Sequence, residues 1–254
     1  MKVFIINLEN YAARKEHALQ QCNSIGLEAD VFNAIDGRLL SPQQISEKTH
    51  PELSVGLTES EIGCALSHHG VYEKMVRENI ELALVLEDDV LFDDHSRNVI
   101  DYLSNHFPQR PTLCLLSEVR KYLRGGEKIP TSDHKIVNVS QAALAHAYFI
   151  NLAAAKKLYE FMYPIWLEAD RWTFLIESDV VNIKAVVPPI GHLSELSFES
   201  TIWHGGAELE SKKVVRELRK VTVKKIRNNR PLKIKLKNSL WRIFIRPFFE
   251  VKQD

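Results

Sequence analysis

The stretch Leu82-Ala83-Leu84-Val85-Leu86-Glu87-Asp88-Asp89-Val90 decides the fold class of this 254-residue chain. It begins with an apolar run that has the length and branched side chains typical of a buried β-strand. Three carboxylates follow at once, and burying them together is unfavourable unless a cation lies beside them. A divalent metal is one such cation, since hard ions prefer carboxylate oxygens. The alternative is that these acids cap the following turn and face water.

An earlier apolar run, Val3-Phe4-Ile5-Ile6, is followed by a helical pattern that ends at Gly26. Val31-Phe32-Asn33-Ala34-Ile35 then predicts a second strand, closed by the turn pair Asp36-Gly37. The order of strand, helix and strand predicts a parallel sheet with a nucleotide site at the carboxyl end of the first strand. Neither the dinucleotide fingerprint nor the P-loop sequence is present. Arg14, on the first turn of the helix, is a candidate contact for a phosphate or a base.

A further helix is predicted to begin after Thr58, which can cap it together with Glu61 three residues later. Residues 40–60, which contain two prolines and a glycine, are predicted to be rich in loops. The small residues at 63, 65 and 67 should let the helix pack closely against the sheet. His68 is a candidate ligand contact, although a buried helical histidine is more often a core group.

Composition narrows the class of protein. Hydrophobic residues make up 45% of the chain and charged residues 26%, which is enough for an ordinary globular core. The apolar run near the start is too short for a signal peptide or a membrane span. Cys22, Cys64 and Cys114 are odd in number and lack CxxC spacing. They argue against a disulfide framework or a zinc knuckle and suit a reducing cytoplasm.

Charge divides the chain into an acidic body and a basic tail. Residues 211–254 carry 15 Lys and Arg against 3 acids, whereas the rest of the chain holds 18 and 30. We therefore expect a catalytic domain over residues 1–210 and a basic helical segment over 211–254. Cationic and aromatic residues together favour an anionic membrane surface. A helix packed on the body and an oligomer contact are the alternatives, and nucleic acid is not expected because no recognition motif is present.

Short motifs spread in order over most of residues 2–202 resemble glycosyltransferase family 25, the lipooligosaccharide sugar transferases of bacterial surface assembly. The most specific is Glu61-Ile62-Gly63-Cys64-Ala65-Leu66-Ser67-His68, followed about one strand later by Glu87-Asp88-Asp89-Val90. The others are Ile5-Ile6-Asn7-Leu8, Ala34-Ile35-Asp36-Gly37, Ala147-Tyr148-Phe149-Ile150, Ala169-Asp170 and Ser200-Thr201-Ile202.

This resemblance implies a GT-A type fold, a Rossmann-like α/β domain with a mainly parallel central sheet that holds a nucleotide-sugar. It implies an inverting transfer from a UDP-sugar, often UDP-galactose, to a lipid-linked saccharide acceptor of the lipooligosaccharide type. The implied nucleotide-sugar contacts are Asn7, Leu8, Arg14, Asp36, Gly37, Ser67, His68, Glu87 and Asp88.

The acidic stretch would then be the family's DxD-type metal motif, with Glu87 and Asp89 as ligands of Mn²⁺ or Mg²⁺. Such an ion neutralises the diphosphate leaving group. A late histidine, His192 or His204, could add a ligand. Inversion also needs a base for the acceptor hydroxyl. Asp170 is the candidate, with a helix N-cap as its alternative role, and two acids are held in reserve, Glu177 and Asp179.

Two other classes stay open. One is a different metal-dependent nucleotide or phosphate enzyme, such as a phosphohydrolase or a nucleotidyltransferase. The other is a UDP-sugar-binding protein without turnover. An enzyme that extends a lipid-anchored sugar is expected in the cytoplasm, at the inner face of the inner membrane.

Overall fold

A computed structural model of the chain describes residues 1–130, 132–199 and 209–252. Its strands are β1 (Lys2–Asn7), β2 (Asp30–Asn33), β3 (Leu82–Glu87), β4 (Val90–Phe92), β5 (Thr112–Leu115), β6 (Lys121–Leu123), β7 (Glu127–Lys128), β8 (Lys135–Gln141), β9 (Ala147–Asn151), β10 (Asn182–Val187), β11 (Gly191–Leu193) and β12 (Glu250–Lys252). Its α-helices are α1 (Ala12–Ser24), α2 (Pro42–Lys48), α3 (Glu59–Arg77), α4 (Ser96–His106), α5 (Leu152–Met162), α6 (Trp172–Glu177), α7 (Leu209–Asn228), α8 (Leu232–Leu240) and α9 (Arg246–Phe249). Short 3₁₀-helices span Gly37–Leu39 and Glu195–Glu199, and a π-helical turn, Trp241–Ile245, joins α8 to α9.

Within these residues, ten strands form one sheet in the order β12-β6-β8-β10-β5-β9-β3-β1-β2, with β7 paired to β8. The strands β2, β1, β3, β5 and β10 share one direction, and β9 runs antiparallel between β3 and β5. The prediction of an α/β fold with a mainly parallel central sheet is confirmed for this central part. Beyond β10 the strands alternate in direction, and β4 pairs with β11 in a separate ribbon.

The neighbouring strands β1 and β3 are buried on both faces, which explains their continuous apolar sequences. Successive side chains of a strand point to opposite faces. Phe4 and Val85 accordingly pack into one core layer, with α3 and α5, whereas Ile5 and Leu84 pack into the other, with α1 and α4. The parallel pairing of β1 with β3 places the carboxyl ends of the two strands side by side.

Helix α3 begins as the sequence predicts, with a capping box between Thr58 and Glu61. Its small residue Gly63 packs against a loop rather than the sheet. A Cβ at Gly63 would collide with the backbone nitrogen of Gly37 and the carbonyl oxygen of Ile35. The helix backbone therefore lies directly on the turn that follows β2.

Residues 40–60 are less irregular than predicted, because they include helix α2. A second capping box, between Ser41 and Gln44, starts this helix, and Pro42 occupies its first turn. Proline suits that position because its missing N–H has no partner there in any helix. The sequence prediction treated this proline as a breaker and so missed the helix.

The basic C-terminal segment packs on the body. Helix α7 is held by Arg219, whose guanidinium donates to the carboxylate of Glu168 at 2.7 Å and to the carbonyl oxygens of Leu53 and Trp166 at 2.8 Å each. Further along, β12 pairs with β6 at the edge of the sheet. The alternative of a helix packed on the body thus holds for α7. No helix among the described residues is both long and apolar enough to cross a bilayer.

Candidate active site

A cleft opens at the carboxyl ends of β1 and β3, where ligands bind in open α/β sheets. Its empty volume, including the part open to solvent, is about 740 Å³. The cleft is lined by Ile6, Leu8, Tyr11, Arg14, Ala34, Ile35, Asp36, Gly37, Ser60, Cys64, Ser67, His68, Glu87, Asp88 and Asp89.

Arg14 is the internal cation that the acidic stretch faces. Its Nε donates to Asp88 at 2.8 Å, and its Nη2 donates to Asp89 at 3.0 Å. Asn7 donates to the second oxygen of Asp88 at 2.6 Å, so both oxygens of that carboxylate are occupied. Asp88 and Asp89 are only 7% and 5% exposed. The alternative that these acids face water is therefore wrong for both.

Asp89 keeps one oxygen free. Its Oδ1 is buried and has no hydrogen-bond partner among the described residues. Burial, followed by the charge of Glu87, raises the pKa of Asp89 to about 6 even though Arg14 lowers it. A buried carboxylate oxygen without a partner, beside a second carboxylate, fits a hard divalent cation. Asp89 and Glu87 are therefore the residues that could hold Mn²⁺ or Mg²⁺.

A buried chain of polar groups lies behind Glu87. His68 contacts the Glu87 carboxylate through Nε2 at 3.2 Å and the Tyr148 hydroxyl through Nδ1 at 2.8 Å. The hydroxyl of Tyr148 lies 3.0 Å from that of Tyr72. Burial raises the pKa of Glu87, but the hydrogen bond from His68 and the charges of His68, His146 and Arg14 together outweigh it, so the net shift is downward. Glu87 is thus held as a carboxylate at the floor of the cleft.

Cys64 supplies a second possible donor set with His68 and Glu87, since one ligand atom from each lies within 4.8 Å of the others. Thiolate ligands favour softer ions than Mn²⁺. Burial and the charges of Glu87 and Asp170 raise the pKa of the Cys64 thiol well above its usual value. The thiol therefore stays protonated, and the carboxylate pair fits a hard ion better. The absence of CxxC spacing argued against a ligand role for Cys64, whereas its spacing of four from His68 on one helix face was a usable signal.

The structure gathers nearly all of the predicted contacts in one place. Leu8, Arg14, Asp36, Gly37, Ser67, His68, Glu87 and Asp88 line the cleft, but Asn7 does not: it lies behind Asp88 and orients it. The Ser67 hydroxyl accepts from the Ile35 N–H at 2.8 Å and donates to the Gly63 carbonyl at 2.7 Å, so its polar atom holds the wall of the cleft. The lining residues that the sequence did not predict as contacts are Ile6, Tyr11, Ala34, Ile35, Ser60 and Cys64.

His192, one of the two late histidines suggested by the sequence, is not at this cleft. His192 lies on β11 opposite Leu91, and its imidazole is half-exposed, 3.9 Å from Asp93. It is not among the residues that line the cleft. His68 is the histidine beside Glu87 instead. His204, the other candidate, is outside the described residues.

Asp170 lies next to the cleft rather than in its lining. Its carboxylate accepts from the Leu144 N–H at 3.4 Å, and burial raises its pKa. It does not cap α6, whose N-terminal residue Arg171 has no side-chain cap. The reserve acids serve the C-terminal segment instead: Glu177 pairs with Arg230 at 3.0 Å, and Asp179 pairs with Lys237. Both are therefore poor candidates for a base.

Comparison with known proteins agrees with the resemblance. A model of the family described as "Glycosyltransferase family 25 (LPS biosynthesis protein)" matches residues 1–173. A glycosyltransferase 25 family member of Anopheles gambiae is 35% identical over 177 residues, which is 61% of this chain and 28% of that protein. Procollagen galactosyltransferase 2 of Homo sapiens is 27% identical over 168 residues, 62% of this chain and 27% of that one. A "probable inactive" family member 3 of Rattus norvegicus is 29% identical, over 62% and 29%.

Two solved structures show weaker likeness. The galactosyltransferase LgtC, in complex with donor and acceptor sugar analogs, gives a TM-score of 0.39 at 11% identity, covering 87% of this chain and 96% of that chain. A putative glucose-1-phosphate thymidylyltransferase from Bacillus anthracis gives 0.42 at 11% identity, covering 78% and 92%. The curated relatives are animal proteins, and this chain matches less than a third of their length. The match over residues 1–173 shows that the chain belongs to glycosyltransferase family 25.

Proposed function

We propose that this protein is an inverting, metal-dependent glycosyltransferase that moves a sugar, with galactose expected, from a UDP-sugar to a saccharide acceptor of the lipooligosaccharide type. One observation carries the proposal: the partnerless buried oxygen of Asp89 at the carboxyl end of β3, inside the cleft. Family membership and the galactosyltransferase among the relatives support it.

Different residues of the cleft would bind different parts of the donor, its diphosphate and its nucleoside base. A divalent ion, Mn²⁺ or Mg²⁺, would be held by Asp89 and Glu87 and would supply positive charge to the departing diphosphate. Arg14 neutralises Asp88, so the acidic stretch does not repel the diphosphate with its full charge. Tyr11 and Ile35 provide an aromatic and an apolar wall suited to a nucleoside base.

Asp170 acts as the base in this proposal. Inversion takes place in one displacement, so a proton must leave the acceptor hydroxyl as the new bond forms. The raised pKa of Asp170 makes its carboxylate a stronger base than an ordinary aspartate. Its charge also raises the pKa of Cys64, a residue of the cleft, which supports a position for Asp170 close to the proposed donor site.

A donor screen tests the proposal. Purified protein with Mn²⁺ is given a panel of UDP-sugars and a saccharide acceptor, and free UDP and transferred sugar are both measured. Asp89→Ala should abolish transfer, whereas Asp94→Ala, which removes an acid outside the cleft, should not. Asp170→Ala should lower the transfer rate far more than it weakens UDP binding.

The same screen separates the two other classes. A phosphohydrolase or nucleotidyltransferase would release phosphate or exchange nucleotide without sugar transfer. An inactive UDP-sugar-binding protein would bind UDP without turnover, and the relative described as probable inactive gives that outcome a precedent. Either result rejects the proposal.

We also propose that the C-terminal segment binds an anionic membrane surface from the cytoplasmic side, through a C-terminal apolar stripe. These side chains recur at helical spacing and are between 47% and 82% exposed: Leu232, Leu236, Leu240, Ile243, Phe244, Phe248 and Phe249. Exposed cations flank them at Lys233, Lys235 and Arg242. An apolar face bordered by lysine and arginine is typical of helices that lie in a membrane interface.

Sedimentation with vesicles that contain anionic lipid tests this surface. Phe244→Ser with Phe248→Ser should lower binding at least about tenfold, since each exposed phenylalanine contributes roughly 1.5–3 kcal/mol when buried. Val214→Ser with Val221→Ser, which changes two exposed residues of α7 outside the stripe, is the matched control. Equal sedimentation of the two double variants contradicts the proposal. A change of oligomeric state in the first variant instead identifies an oligomer contact.

A further inference from the structure

A second groove runs along the contact between helix α7 and the body. Its empty volume, including the part open to solvent, is about 1590 Å³, roughly twice that of the cleft. One wall is α7, and the other comes from the start of α3 and from residues 168–171. The groove is lined by Gly56, Thr58, Glu61, Glu168, Arg171, Val215, Arg216, Arg219, Lys220, Val223, Lys224, Arg227 and Asn228.

Cations dominate this groove, and several already have partners. Glu168 is shared by Arg171 and Arg219. These ion pairs join the two walls of the groove, so Arg171 and Arg219 already have a partner within the protein.

The cations that remain lie on the exposed side of α7. Lys220 pairs with Glu217 of its own helix at 2.6 Å, and Arg227 pairs with Glu177 at 3.2 Å. Arg216 and Lys224 are exposed and form no ion pair with any described residue. Two turns of one helix therefore present free positive charge to the groove.

The walls of the groove are fixed. Arg219 is 5% exposed, and its guanidinium reaches Leu53, Trp166 and Glu168 of the body. Thr222, one turn further along α7, is also buried. The positions of Arg216 and Lys224 relative to the body are therefore set by a buried anchor between them, so the groove is preorganised.

The groove adjoins the cleft through shared elements. On the first turn of α3, Ser60 lines the cleft, whereas the next residue, Glu61, lines the groove. Residues 168–171 contribute Glu168 and Arg171 to the groove and carry Asp170 between them. The groove and the cleft therefore meet at the first turn of α3, and the proposed base lies in the chain between two residues of the groove.

We propose that this groove is the acceptor site and that it selects a saccharide carrying anionic groups, phosphate or carboxylate, which Arg216 and Lys224 neutralise. The inference rests on the proposed glycosyl transfer and names its acceptor class. Charge complementarity at an open groove contributes mainly selectivity and association rate, and it weakens as salt rises.

Binding of a charged and a neutral probe tests the proposal. The probes are mannopentaose phosphate and unmodified mannopentaose, titrated calorimetrically into the full-length protein at low salt. The wild type should prefer the phosphorylated probe by about tenfold, corresponding to 1.4 kcal/mol. Arg216→Glu with Lys224→Glu should remove this preference. Lys213→Glu with Lys157→Glu, which makes the same change of net charge at exposed positions outside both the groove and the apolar stripe, should preserve it.

Two other measurements are needed. One distinguishes an anionic saccharide from lipid headgroups as the ligand of the groove, and the other tests the transferase proposal independently of the acceptor inference. Sedimentation with anionic vesicles should be the same for both double variants. If the groove variant loses vesicle binding but keeps its preference for the phosphorylated probe, the groove serves lipid headgroups and the inference is wrong. A preference that survives in the groove variant, or disappears equally in the control, also overturns it. UDP release from UDP-galactose by the wild type is measured in parallel, so that failure of the transferase proposal is seen independently.

Discussion

Arg14 donates to one carboxylate oxygen of Asp89 at 3.0 Å, and the other oxygen of Asp89 is buried without a partner among the described residues. A single guanidinium thus faces a cluster of three acids, Glu87, Asp88 and Asp89. The cluster is left short of positive charge in the protein alone. The first prediction follows from that imbalance.

Replacing Asp89 by Asn should stabilise the metal-free protein at neutral pH. The pKa of Asp89 rises from 3.8 to about 6 on folding. The stabilisation that this shift provides is therefore complete below pH 3.8 and is lost as the pH rises through about 6. Thermal unfolding of both proteins at about pH 5 and about pH 7.5 checks this. The variant should gain several degrees over the wild type at the higher pH and less at the lower.

Mn²⁺ provides the control for that experiment. It should raise the unfolding temperature of the wild type, because a ligand that binds only the folded state stabilises it. It should leave the Asp89→Asn protein unchanged. Equal responses to Mn²⁺ would place the metal elsewhere, with Cys64 and His68 as the next ligands to change.

Removal of Arg219 should destabilise the whole protein. Arg219→Met leaves the buried carboxylate of Glu168 with only the partly exposed Arg171, and breaking a buried ion pair costs about 3–5 kcal/mol. Urea unfolding of the variant measures the loss. The double variant with Glu168→Gln should recover part of it, because no unpaired charge remains. A double variant that is no more stable than the single one contradicts this account.

The same pair predicts a loss of stability in acid. Burial raises the pKa of Glu168, but the hydrogen bonds and charges of Arg219 and Arg171 together outweigh it and bring the pKa down to about 2 from 4.5. Stability from this carboxylate is therefore present above the upper value and is lost as the pH falls through the lower one. The Glu168→Gln protein should show a shallower decline of unfolding free energy over that range.

Gly63→Ala should weaken the packing of α3 against the turn at Gly37. The new methyl group meets backbone atoms, which cannot rotate away. Overpacking of this kind costs about 1–3 kcal/mol. Glu59→Ala, at an exposed position on the first turn of the same helix, is the control and should change the unfolding free energy by less than about 0.5 kcal/mol. Similar stabilities for the two variants would show that the turn can move aside.

Tyr148→Phe and Tyr72→Phe should differ in cost. Loss of the Tyr148 hydroxyl removes a hydrogen-bond partner from two buried groups, the imidazole of His68 and the hydroxyl of Tyr72. Each unsatisfied buried group costs about 1–3 kcal/mol. Loss of the Tyr72 hydroxyl still leaves Tyr148 bonded to His68. Chemical denaturation should therefore rank Tyr148→Phe as the less stable protein, and the reverse order would argue against a single chain of hydrogen bonds.

The central strands and α3 could be predicted from sequence because their signals are local. The apolar runs that became β1 and β3 are continuous, and the capping pair Thr58 and Glu61 marks where α3 begins. The cation beside the acids could not be assigned in the same way. Arg14 is 74 residues from Asp88, and only the packing of α1 on the sheet turns its side chain towards that carboxylate.

The C-terminal segment shows a second limit of sequence reasoning. A pattern rich in lysine and arginine indicates a solvated surface, and most of α7 follows that expectation. Arg219 does not, because its partners come from residues 53, 166 and 168, which no local pattern connects. The composition of the segment already showed the apolar side chains of α8 and α9. Only the structure shows that these side chains are exposed, whereas α7 has a face that packs on the body.

The pairing of β12 with β6 affects how the C-terminal segment can be studied by deletion. Cutting the chain before α7 would strip a strand from the sheet edge and expose the unpaired N–H and C=O groups of β6, and open edges of that kind recruit other strands and promote aggregation. It would also leave the buried Glu168 carboxylate without its partner Arg219. A shortened protein would therefore report on damage to the body as much as on the missing segment, and point substitutions give the cleaner assay.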